Sequence, residues 1–78
     1  MKLEKIEKIQ SRPEYANRAT IYVYEENDGL TAVYEGEKYH VDMSGPMGCL
    51  ALDAKMSKEG VHVQRNFFLI DKEDLPQE

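Results

Sequence analysis

The feature that most constrains this chain is a pair of turn signals set inside alternating strand sequence. Ala19–Glu26 (ATIYVYEE) is rich in β-forming residues and runs into Asn27, Asp28 and Gly29. Such residues mark a two-residue hairpin loop, because a type I′ turn needs positive φ at both central positions. Leu30–Glu35 (LTAVYE) reads as the second strand and Lys38–Met43 (KYHVDM) as the third. Between them Gly36-Glu37 suits a type II′ turn, which takes Gly first. Residues 19–43 are therefore predicted to form an antiparallel β-meander.

Loops at Asp28-Gly29 and Gly36-Glu37 set a register. Val23 then opposes Tyr34, Tyr24 opposes Val33, Tyr34 opposes Tyr39, and Ala32 opposes Val41. Opposed residues share a face. One face collects Ile21, Val23, Leu30, Ala32, Tyr34, Tyr39, Val41 and Met43, with Glu25 as its only charge. The other collects Tyr22, Tyr24, Glu26, Thr31, Val33, Glu35, Lys38, His40 and Asp42. A one-residue slip in either pairing would mix the two sets. The first face is expected to be core and the second to meet solvent.

The flanks are less regular. Leu3, Ile6 and Ile9 recur every three residues, which suits one face of a short helix, with an edge strand as the alternative. Pro13 lacks an N–H and holds Arg12 extended, so residues 11–18 read as a loop. Beyond Ser44, Met47, Leu50, Ala51 and Ala54 fall at helical spacing, with Pro46 in the first turn and Gly60 at C′. A helix over 46–59 is expected; a strand over 49–54 with a loop after it is the alternative. Residues 61–70 (VHVQRNFFLI) read as a last strand bent near Asn66, and residues 71–78 as a short turn or helical tail that frays at its end. The expected fold is α+β: an antiparallel sheet of four or five strands with one or two short helices. A small SH3-like β-barrel is the alternative.

The 78 residues are expected to form one small domain. Such a domain buries only about 60% of its unfolded surface, so a partner or a second copy, in a homodimer, would add stability. No apolar run approaches the roughly 18 residues of a membrane span, and no apolar stretch follows the first lysines, so neither membrane nor secretory signal is expected. Cys49 is the only cysteine and has no internal disulfide partner. A cytoplasmic location follows as the expectation, in the host cytoplasm if the chain is of phage origin.

Charge is where function enters. The net charge is −5, and residues 19–54 hold seven acids against Lys38 alone, a local net of −6. No enzyme signature is present. His40, Asp42 and Glu35 are expected to be solvated rather than to hold a metal, and Cys49 lacks a paired base. Ser44-Gly45-Pro46-Met47-Gly48 lacks both phosphate-loop patterns. No catalytic residue, metal or cofactor is expected. Direct nucleic-acid binding has the wrong sign, since it draws on Lys and Arg neutralising phosphates.

The opposite sign suits a basic protein surface, such as that of a nucleic-acid-binding protein. Tyr22, Tyr24, Glu26, Asp28, Glu35, Glu37 and Asp42 are the expected partner-binding residues, the acids pairing with Lys and Arg and the tyrosines anchoring. Same-face acids lie about 6.8 Å apart along a strand, comparable with successive phosphates. A non-enzymatic nucleic-acid mimic that blocks its partner is the first expectation, a role small acidic phage inhibitors fill. A β-barrel adaptor using exposed tyrosines in a larger assembly is the second.

Overall fold

The structure, a computed structural model, describes residues 3–75. The expected fraying at the end of the chain lies outside these residues. The chain runs α1 (Leu3–Gln10), a 3₁₀ turn (Pro13–Tyr15), β1 (Ala19–Glu26), β2 (Gly29–Tyr34), β3 (Glu37–Val41), α2 (Gly45–Lys58), β4 (Arg65–Leu69) and a second 3₁₀ turn (Lys72–Asp74). Four strands lie in the order β3-β2-β1-β4. The class is α+β.

Two expectations about the sheet are corrected. It is mixed rather than antiparallel, because β4 runs parallel to β1, with Ile21 beside Phe67 and Val23 beside Leu69. It is also open, with β3 and β4 as its edges, so there is no closed barrel. The cause is α2. A 14-residue helix is long enough to carry the chain back across the sheet, and such a crossover delivers a parallel strand.

Both hairpin loops fall one residue earlier than expected. They are Asn27-Asp28 (φ 52° and 62°) and Glu35-Gly36 (φ 50° and 81°). Val23 accordingly opposes Ala32, not Tyr34, and Ala32 opposes Tyr39, not Val41. Each register moves by two positions, so every side chain stays on its expected face. The reason lies at Gly29, where a Cβ would stand 2.0 Å from the Val41 carbonyl oxygen. Gly29 is needed for the close approach to β3, and the left-handed turn positions go to Asn and Asp, which tolerate them.

The apolar face packs under α2. Ile21, Val23, Leu30 and Ala32 join Leu52 and Met56 in a core, with Tyr34, Tyr39, Val41, Cys49 and Phe67 against it. The buried stripe of α2 is Gly48, Leu52 and Met56. Of the four residues read at helical spacing, Met47 and Leu50 are exposed, at 61% and 65%, Ala54 is exposed too and only Ala51 is half-buried. Gly48 decides this. A Cβ there would meet the Met43 carbonyl oxygen at 2.4 Å and Leu30 Cδ1 at 2.7 Å, so the helix docks on its smallest residue. Met43, expected in the core, is also exposed. Gly60 (φ 99°) closes α2, with Val61 N–H donating to the Met56 carbonyl as in a Schellman cap.

β4 is shorter than expected, since residues 61–64 lie outside it. Arg65 fixes where it begins. Its guanidinium donates to Asp53 Oδ1 (2.9 Å), the Asp53 carbonyl (3.2 Å), Ser57 Oγ (2.6 Å) and the Val61 carbonyl, locking β4 to α2.

The second face is not wholly solvated. Ile6 of α1 packs with Phe68 and Ile70, and Leu3, Ile9, Tyr22 and Leu75 close around them. This cluster lies over β1 and β4. The half of that face over β2 and β3 carries partly exposed Val33 and His40 and exposed Lys38.

Gly29→Ala is expected to destabilise the protein by about 1–3 kcal/mol, the range for overpacking a site that cannot give way. Gly45→Ala, whose Cβ meets nothing within 4 Å, sits at φ 67° and should cost less. Urea unfolding midpoints of the two variants provide the comparison.

Candidate acidic interface

The parallel crossover gathers charge that is dispersed in sequence. β1 and β4 end side by side, so Glu25, Glu26 and the Asn27-Asp28 turn stand next to the segment after β4. Glu25 shares one depression with Glu26, Asp28 and Ser44, and a second with Leu69, Asp71, Lys72 and Glu73. Asp42 follows Val41 at the same end of the sheet, since Val41 pairs with Leu30. Six carboxylates (Glu25, Glu26, Asp28, Asp42, Asp71 and Glu73) therefore gather at one end of the sheet, with Lys72 paired to Glu26 and Lys55 held at the neighbouring His40 carbonyl.

The expected binding residues are divided by this geometry. Glu26, Asp28 and Asp42 are brought together. Glu35 and Glu37 lie at the opposite end, beside Tyr34 and Tyr39. The five residue steps of β2, at about 3.4 Å each, separate the two groups by about 17 Å. At that far end burial, and then the Glu35 charge, push the Tyr34 phenol upward.

Tyr22 and Tyr24 do not form an exposed aromatic platform. Tyr24 is 1% exposed, and Tyr22 is half-buried against the cluster that Ile6 of α1 forms with Phe68, Ile70 and Leu75. The expectation that Tyr24 meets a partner is corrected: its ring is core, with Lys72 Nζ 5.5 Å from the ring centroid. The Tyr24 hydroxyl is buried without a hydrogen-bond partner among the described residues.

Glu25, Asp71 and Glu73 are the members that sequence reasoning missed. Glu25 was visible as the single charge on the apolar face. The acids after β4 were visible as a charged run, but only a parallel β4 carries them to this end.

A chain of polar contacts crosses the strands just below the acidic end. Lys72 donates to Glu26 Oε2. Thr31 Oγ1 lies 3.4 Å from Glu26 Oε1 and 2.8 Å from His40 Nδ1, and His40 Nε2 lies 3.2 Å from Asp42 Oδ1. The Asp42 carboxylate only accepts, so Nε2 carries a proton. With a neutral ring, Thr31 donates to Nδ1. With a protonated ring, Nδ1–H donates to Thr31 and frees its hydroxyl proton for Glu26. Thr31, His40 and Asp42 thus align as a hydroxyl, an imidazole and a carboxylate. A nucleophile must reach its substrate, and Thr31 is 2% exposed. The chain is suited to fixing the strands' side chains in place rather than to attack. Among the described residues, no group of three or more His, Cys, Asp or Glu is placed to share a metal ion. No helix among them is long and apolar enough to cross a membrane.

Comparison with protein-family models, with curated proteins and with solved structures finds no match.

The Lys72 hydrogen bond holds Glu26 below the usual carboxylate value, with Thr31 and Lys38 adding to the effect. The same bond raises Lys72. A carboxylate lowered on folding adds stability above its unfolded pKa and loses it as pH falls through the folded one. Lys72→Met, which keeps the stem beside Tyr24, should therefore be less stable than the parent at neutral pH. The difference should shrink on acidification through and below the carboxylate range. Urea midpoints measured from pH 7 to pH 2 test this, and a pH-independent gap would refute it. Tyr24→Ala should cost about 3–5 kcal/mol, as for other large core aromatics. Tyr24→Phe removes a buried unpaired hydroxyl and should be neutral or stabilising.

Proposed function

We propose that this chain is a small acidic, non-enzymatic interaction protein that binds and blocks a basic partner, by occupying a surface built to hold nucleic acid. The observation that carries the reading is the acidic end of the sheet: six carboxylates from β1, the first turn, the residue after β3 and the segment after β4. Lys72 among them is already paired with Glu26. Each exposed carboxylate adds only about 0–1 kcal/mol in a single ion pair. Together they set a negative field that steers a cationic surface and speeds encounter.

The contact surface in this proposal is the end of the sheet, not the whole polar face. Glu25, Asp71 and Glu73 join Glu26, Asp28 and Asp42, while Glu35 and Glu37 drop out. Tyr24 supports the surface from beneath. A cytoplasmic setting and a phage or other viral origin belong to the same proposal and rest on size and charge. The second reading is an adaptor or subunit of a larger assembly, and the exposed Met47 and Leu50 on α2 favour it.

The test is affinity capture of the partner from cells, followed by measurements on the purified pair. Nucleic acid that the partner binds should compete with this protein, and affinity should fall steeply with salt. Neutralising Glu25, Asp28, Asp71 and Glu73 together (Glu25→Gln, Asp28→Asn, Asp71→Asn, Glu73→Gln) should lower affinity at least tenfold and leave the fold intact. Glu35→Gln with Glu37→Gln should change it little. Equal binding by the first variant, or simultaneous binding of nucleic acid and protein, would replace this reading with the adaptor.

A further inference from the structure

The acidic end borders an unfilled apolar groove. It is lined by Val23 and Leu30 of the sheet, Phe67 and Leu69 of β4, Gly45 and Cys49 of α2, and Glu25 at its edge. The first turn of α2 leaves it open. Gly45 contributes no side chain there, and a Cβ at that position would reach nothing within 4 Å. Leu69, on the core side of β4 beside Val23, is consequently 53% exposed. The groove has a volume of about 200 Å³. A dry protein cavity of about 150 Å³ admits benzene, so this one has room for one leucine or phenylalanine side chain.

Its position relative to the charge is what identifies an occupant. Glu25 lines the groove and also both acidic depressions, one toward Glu26 and Asp28, the other toward Asp71 and Glu73. Leu69 is likewise shared with the second. Glu25 itself is exposed, and its carboxylate is in none of the salt bridges among the described residues. An apolar slot whose mouth is ringed by carboxylates rejects an acidic segment and leaves a purely polar one with no gain from the slot. It suits an apolar side chain flanked by cations.

We propose that this groove seats one leucine or phenylalanine side chain of the basic partner, projecting from a polypeptide segment with Lys or Arg on either side. The proposal rests on the acidic-interface reading and adds to it the anchor that charge alone lacks. Ion pairs at the rim govern encounter and register, whereas an aliphatic or aromatic group filling a pocket slows dissociation. It also gives Glu25 a role, receiving the cation next to the anchor. Cys49 forms part of the wall and reports on occupancy, being the only cysteine in the chain.

The experiment uses the full chain and three synthetic peptides: a Lys/Arg-rich peptide with a central Leu, the same peptide with Ala at that position, and a Glu-rich peptide keeping the Leu. Binding is measured by fluorescence anisotropy at low and high salt, and Cys49 alkylation by iodoacetamide is timed with and without each peptide. The Leu peptide should bind at least tenfold more tightly than the Ala peptide, as for apolar groups in fitted pockets. That ratio should survive added salt while both affinities fall, and only the Leu peptide should slow alkylation. Leu69→Ser should erase the ratio and leave the Ala peptide's affinity unchanged. Cys49→Leu, which fills the slot from inside, gives the same readout if Leu69→Ser is poorly folded. Equal binding of the Leu and Ala peptides without protection of Cys49 would overturn the anchor and leave the acidic interface standing. Failure of both basic peptides to bind would remove the interface and the anchor together. Protection by the Glu-rich peptide, or concentration-dependent dimerisation that protects Cys49 by itself, would overturn the basic occupant.

Discussion

Everything distinctive about this surface depends on β4 lying parallel to β1. A last strand entering from the other direction would leave the Asp71–Asp74 segment at the far end, beside Glu35 and Glu37, and each end would then carry only part of the charge. The crossover that avoids this is held by Arg65, whose guanidinium spans Asp53, Ser57 and Val61. Its side chain is only 6% exposed. A buried guanidinium is costly unless its donors are satisfied, and here the bonds that satisfy them also fix the angle between helix and strand.

Collecting carboxylates at one end opposes folding through mutual repulsion. Two features offset it. The sheet is buried on both faces at its centre, under α2 on one side and under α1 with Phe68 and Ile70 on the other. The Lys72–Glu26 pair then places one cation within the negative cluster, next to the Tyr24 ring. The lysine stem and the tyrosine form the join between the inner core and the charged rim. The same segment after β4 thus supplies both the acids of the surface and the cation that moderates them.

The open half of the second face is ordered by hydrogen bonds rather than by apolar packing. Thr31, His40 and Asp42 hold one another across β2 and β3, and Thr31 reaches Glu26 on β1. Lys55 of α2 donates to the His40 carbonyl (2.7 Å) from the opposite side of the sheet. Strand β3 is an edge and needs such ties, because an edge strand has ladder hydrogen bonds on one side only.

What the sequence determined by itself was the sorting of residues between faces. Ile21, Val23, Leu30 and Ala32 alternate with polar neighbours, and alternation assigns a face whatever the exact register, because side chains repeat every two residues. Both turns are one residue earlier than their glycines suggest, yet no residue changes side. Gly60 and Pro46 likewise bounded α2 through local backbone chemistry. The tertiary structure alone decided the rest. Gly29 and Gly48 look like a turn residue and a helix weakness, and each is a point of close contact that only the packed neighbour reveals. Tyr24 sits at a position whose alternation says solvent, yet it is buried, with Lys72 of the segment after β4 over its ring. Alternation reports which way a side chain points, not what lies beyond it. The acidic end and its groove were illegible for the same reason: they join Glu25, Leu69 and Glu73 through strand direction, and the direction of β4 is set by a helix crossing the sheet, not by the residues of β4.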